Sequence, residues 1–128
     1  MDAILDTHTF LWYIEGSPKL SKQARAEIGS SKNNLYFSIA SLWEISIKFG
    51  LGKLSLSNPF SELEGVLKQL QIEILPITFT DTECYLSLPL HHRDPFDRML
   101  IAQAINRSLV VISQDTAFDA YAIQRLWN

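Results

Sequence analysis

The chain has 128 residues, 47% of them hydrophobic, and a formal charge of −3. A length like this buries roughly two-thirds of the unfolded surface, so one domain spanning 1–128 needs no covalent staples, and the single cysteine, Cys84, can form no internal disulfide. The acidic balance argues against a high-affinity wrapper of duplex DNA, whose affinity comes from neutralised phosphates, yet leaves room for an enzyme that touches nucleic acid briefly.

The opening MDAILDTHTF carries Asp2 and Asp6 and no basic leader, so no secretory signal is expected and a cytoplasmic location is. No apolar run is long enough for a membrane span. In chain order, strands are expected at Ala3 to Asp6, Leu35 to Ser38, Ile72 to Pro76 and Leu109 to Ser113, with a weak fifth near Ile123 to Leu126. Helical patterns fall between them: Thr7 to Glu15, Ser21 to Ser30, Ile39 to Gly50, Pro59 to Leu70, Thr80 to Leu88 and Pro95 to Arg107. In the fourth, Phe60, Leu63, Leu67 and Leu70 share one face. Strands that are apolar throughout and separated by helices imply a parallel sheet covered on both sides. The expected fold class is therefore α/β, a three-layer α/β/α sandwich with a central parallel sheet of four to five strands.

In open sheets of this kind ligands bind beyond the carboxyl ends of the strands. Asp6 ends the first strand. Glu44 follows the second by one to two helical turns, and Asp115 lies two residues beyond Ser113 at the end of the fourth.

Each acid has a bland reading beside a functional one. Asp94 precedes Pro95 and suits the N-cap of a helix. Asp97 would then be the third helical residue, able to complete a capping box on Asp94. Against this, Asn58-Pro59-Phe60-Ser61 has the same grammar without a carboxylate, and Asp97 shares its face with Leu100, Ile101 and Ala104. Glu44 fits a capping box with Ser41 or a four-residue pair with Lys48, and Asp115 fits the cap of a short helix. Asp6 is harder to explain structurally, because aspartate is disfavoured in strands. Asp119, Asp81 and Glu83 read as local or solvated, with Thr80-x-x-Glu83 a ready capping box. Trp12, Trp43 and Trp127 read as core, and the His91-His92 doublet as solvated or supporting.

Jointly the acids mean more. Two ionised carboxylates about 5 Å apart repel by about 3 kcal/mol at an effective dielectric near ~20. A cluster of four is tolerable only with cations among the oxygens, and oxygen ligands select Mg²⁺ or Mn²⁺.

LDTHTFLW, SIASLWEISIKFGLGKL, LPLHHRDPFDRMLIAQA and VISQDTAFDAY, in this order and covering nearly the whole chain, resemble PIN-domain ribonucleases of the VapC-like toxin group. The resemblance implies a metal-dependent endoribonuclease, with an RNA substrate, a cognate antitoxin and a homodimeric assembly as partners. Carried over residue by residue, it makes Asp6, Glu44, Asp97 and Asp115 the metal-holding catalytic acids. Ser113 and Thr7 support them through hydroxyls, and Asp94 acts as a cap beside the third acid. Lys48, Lys53, Arg93 and Arg98 flank these motifs and are candidate phosphate contacts. Two alternatives stand beside this reading. One is a non-catalytic metal-binding interaction module. The other is an aspartyl-nucleophile phosphatase, which wants an acid two residues after Asp6, where His8 stands.

Overall fold

The computed structural model describes residues 1–128. Five strands run β1 (Asp2–Leu5), β2 (Asn34–Ser38), β3 (Ile72–Leu75), β4 (Val110–Ile112) and β5 (Arg125–Leu126). They form one sheet in the order β3-β2-β1-β4-β5, parallel at every pairing. Six helices connect them: α1 (Thr7–Glu15), α2 (Lys22–Gly29), α3 (Ile39–Gly50), α4 (Leu63–Gln69), α5 (Phe79–Ser87) and α6 (Pro95–Arg107). No helix is long and apolar enough to cross a membrane.

The period of two in each strand divides the core into two layers. Ala3, Leu5, Leu35, Phe37 and Ile112 pack with Phe10, Leu11, Ala24, Ile28, Ile45 and Leu67 from α1 to α4. Ile4 and Val111, facing the other way, pack with Leu100, Ile101 and Ala104 of α6 and with Phe118 and Tyr121. Helix α5 lies outside this second layer, against α6. The result is the three-layer α/β/α sandwich expected.

Several local expectations change. The helix expected from Pro59 starts as a 3-10 turn, Phe60–Glu62, with no side-chain cap, and only then becomes α4. The likeness of Asn58-Pro59-Phe60-Ser61 to the start of α6 is therefore one of letters and not of conformation. Helix α5 begins at Phe79, and its capping box is Thr78 with Asp81 instead of Thr80 with Glu83. Asp81 is not solvated. It is fully buried and accepts hydrogen bonds from Thr78 N, Gln103 Nε2, Asn106 Nδ2 and Arg107 Nη2, which together hold its carboxyl down at about 2 despite the cost of burial. The sequence signal was there to find, since an acid at N3 with Thr three residues earlier is a box in its own right. Trp43 is not core either: it is 61% exposed on α3, edge-on to Phe96.

Candidate active site

The acids converge at the carboxyl edge of the sheet because β1, β2 and β4 are adjacent and parallel, so their ends open on the same side. Asp6 caps α1, its Oδ1 accepting from Thr9 N at 2.9 Å. Its Oδ2 accepts from the Ser113 hydroxyl, and that oxygen in turn accepts from Asp115 N at 3.0 Å. One serine at the end of β4 thus ties together acids from two ends of the chain. Burial pushes the Asp6 carboxyl up, against the hydrogen bonds from Ser113 and Thr9.

Glu44 is buried on the inner face of α3. The helix is capped by Ser38 and starts at Ile39, so Ser41 is interior and forms no box with Glu44. Glu44 Oε1 accepts from Thr7 Oγ1 at 2.6 Å and Oε2 from Lys48 Nζ at 2.7 Å. The Glu44 hydrogen bond raises the Lys48 pKa, and the charges of Asp94 and Asp97 add to the effect, which places Lys48 at the rim of the cluster.

At the start of α6 the cap and the acid divide the work. Asp94 Oδ1 accepts from Phe96 N and Asp97 N. The reciprocal half of a capping box is absent, because Asp94 N donates to His92 Nδ1 and not to Asp97. Asp97 is therefore free to face the site. Burial, then the charges of Asp94, Asp6, Glu44 and Asp115, push its pKa up to about 7. Asp115 caps the 3-10 helix Thr116–Ala120 with one oxygen and turns the other toward His92. His92, Asp97 and Asp115 present ligand atoms within 4.8 Å of one another. Asp6 and Glu44 stand behind this trio, each braced by a hydroxyl.

Of the candidate cations, Lys53 is exposed in the turn after α3 and Arg93 exposed in the loop before α6. Arg98 does not reach toward solvent. Its guanidinium is buried, donates to Pro89 O, His92 O and the Tyr121 hydroxyl, and stacks on Tyr85. It braces the loop that carries His92 and is unavailable to phosphate.

Two parts of this site escaped sequence reasoning. The Tyr121 hydroxyl, buried, accepts from His91 N and His92 N as well as from Arg98; nothing in its local sequence signals this. A cleft of about 450 Å³ opens beside Asp6 and Asp115, lined also by His8, Trp12, Gln114 and Thr116. Trp12 is thus a wall of the cleft, half-buried, with Lys19 over its ring. The four-residue spacing of His8 and Trp12 on α1 could have suggested it.

A parallel sheet carries crowded acids at its carboxyl edge, backed by hydroxyls and with Lys48 paired to Glu44 at the rim, an acidic cluster with the donor atoms to hold a metal ion. The chain belongs to the PIN domain family, whose model matches residues 3–124. No curated protein matches by sequence. Among solved structures it is similar to VapBC2 from Rickettsia felis, bound to a DNA fragment from its promoter, with a TM-score of 0.75 at 18% identity over 100% of both chains. It also resembles FitAcB from Neisseria gonorrhoeae (TM-score 0.67, 21% identity, 100% of this chain and 97% of the other). VapBC-1 from nontypeable Haemophilus influenzae gives 0.65 at 16% identity, covering 98% and 97%.

Proposed function

We propose that this protein is a metal-dependent endoribonuclease that hydrolyses RNA phosphodiester bonds and serves as the toxin of a toxin–antitoxin pair. The observation that carries the reading is Asp97: burial, then the charges of Asp94, Asp6, Glu44 and Asp115, raise its pKa to about 7, and a bound cation would relieve that crowding. The donor set fits Mg²⁺ or Mn²⁺, being carboxylate oxygens with open space beside them. Asp6, Glu44, Asp97 and Asp115 would hold the ion. Bound there, it supplies charge relief to the phosphate and lowers the pKa of water, so no protein nucleophile is needed.

The rest of the work belongs to side chains. Ser113 fixes the rotamer of Asp6, and Thr7 fixes that of Glu44. Thr9 donates its own hydroxyl to Ile112 O, locking α1 to β4 behind the site. Lys48 at the rim, with the exposed Lys53 and Arg93, would receive the phosphate backbone. Trp12 offers a ring face to a base in the cleft. Partners are a cognate antitoxin and a second copy of the chain, in the cytoplasm; the antitoxin is supported by similar folds solved as VapBC and FitAcB complexes. The test is cleavage of a structured RNA with Mg²⁺ or Mn²⁺, repeated with chelator and with Asp97→Asn. Both treatments should abolish cleavage, and activity surviving both rejects the mechanism.

A further inference from the structure

His92 stands among the acids with a side chain 17% exposed, and its ring can be oriented from its neighbours. The backbone N–H of Asp94 points at Nδ1 from 3.2 Å. A ring nitrogen that accepts carries no proton, so in the neutral imidazole the proton is on Nε2. Nε2 lies 3.1 Å from Asp97 Oδ2 and 3.7 Å from Asp115 Oδ2. A histidine that ligates metal through Nε2 uses the reverse arrangement, donating Nδ1–H to a carbonyl or carboxylate. Here Nδ1 faces a donor, and ligation through Nε2 would set two N–H groups against each other. The backbone that carries the ring is held on both sides: His92 N donates to the Tyr121 hydroxyl at 2.8 Å, and His92 O accepts from Arg98 Nη1 at 3.3 Å.

We propose that His92 is a positioning residue of the acidic centre and not one of its ligands: the Asp94 amide fixes its tautomer, which turns Nε2–H toward Asp97 Oδ2 at 3.1 Å, with Asp115, from a separate element, beyond it at 3.7 Å. This rests on the metal-centre reading above. It separates His92 from the carboxylates despite their equal proximity. Asp94 gains a second task, since its side chain caps α6 while its amide orients the ring that steadies Asp97.

The experiment is Mn²⁺ binding to the full chain, followed by calorimetry and pulsed electron paramagnetic resonance, for the native sequence, His92→Asn and His92→Gln. Asparagine can still accept from the Asp94 amide but falls short of Asp97; glutamine reaches the Nε2 position with an amide N–H. Native protein should show no nitrogen coupling from a directly bound imidazole. His92→Asn should bind Mn²⁺ about 10-fold to 100-fold more weakly, the usual cost of losing a group that orients metal ligands, and His92→Gln should recover most of that loss. A purely structural loop residue would be rescued by asparagine. Nitrogen coupling in the native protein, lost in both variants, would make His92 a ligand and overturn the inference. So would unchanged affinity in His92→Asn. Absence of Mn²⁺ binding to the native chain would instead remove the metal centre itself, and the inference with it.

Discussion

Replacing Asp97 by asparagine should stabilise the metal-free protein. The carboxyl titrates at about 7 in the fold against an ordinary 3.8, so the folded chain binds this proton more tightly than the unfolded one. The associated stability is fully present below 3.8 and is lost as pH rises through about 7. At about 1.4 kcal/mol per pH unit the gap amounts to roughly 4 kcal/mol at most. Asp97 has 24% of its side chain exposed, and water on that side screens part of the repulsion. We therefore expect about 2 kcal/mol for Asp97→Asn at pH ~8 in chelator, or a Tm higher by roughly 8 °C for a chain of this size. At pH ~4.5, where the native carboxyl is largely protonated, the advantage should fall to about 1 kcal/mol. Saturating Mn²⁺ should reverse the order, since a ligand at about 100 times its Kd adds about 2.7 kcal/mol to whichever protein binds it. Differential scanning calorimetry across these conditions is the assay. If Asp97→Asn lowers Tm at pH ~8 in chelator, the acids do not repel one another as argued.

Other outcomes are equally direct. Tyr121→Phe removes an acceptor shared by His91 N, His92 N and Arg98 Nη1, of which the first and last keep other carbonyl partners, and should cost about 1 kcal/mol in urea unfolding; a loss below about 0.5 kcal/mol would deny Tyr121 its bracing role. Asp81, held at about 2, contributes stability that is present above 3.8 and lost as pH falls through about 2. Asp81→Asn should accordingly unfold with less sensitivity to acid over that range than the native chain, and an unchanged acid transition would show that the network does not favour the charged form. Trp12→Leu should raise KM for RNA by about 5-fold to 100-fold with kcat little changed, the range expected for one stacked base; an unaltered KM would exclude the ring from substrate contact.

The sheet and its order of elements were legible because buried parallel strands are apolar throughout and are punctuated by helix-starting residues. Asp6, Glu44 and Asp115 stood out from their positions after strand ends and Asp97 from the apolar face it shares in α6, although Asp115 and Glu44 each satisfied a local explanation as well. Both explanations hold in part: Asp115 does cap a 3-10 helix, and Glu44 does pair with Lys48. Asp81 was misjudged because its partners come from α6, more than twenty residues away. Arg98 was misjudged for a similar reason. Its neighbours in sequence are acids of the site, but its partners in space are Pro89, Tyr85 and Tyr121, a knot that only tertiary packing creates.

That knot has a bearing on biosynthesis. The first acid is made at residue 6, yet the loop that carries His92 is moored to a hydroxyl at residue 121, on the far side of the sequence from it. A growing polypeptide still attached to the ribosome holds Asp6 and Glu44 without the anchor that organises their counterparts. The acidic cluster is thus completed only after Tyr121 has been made, long after its first carboxylate.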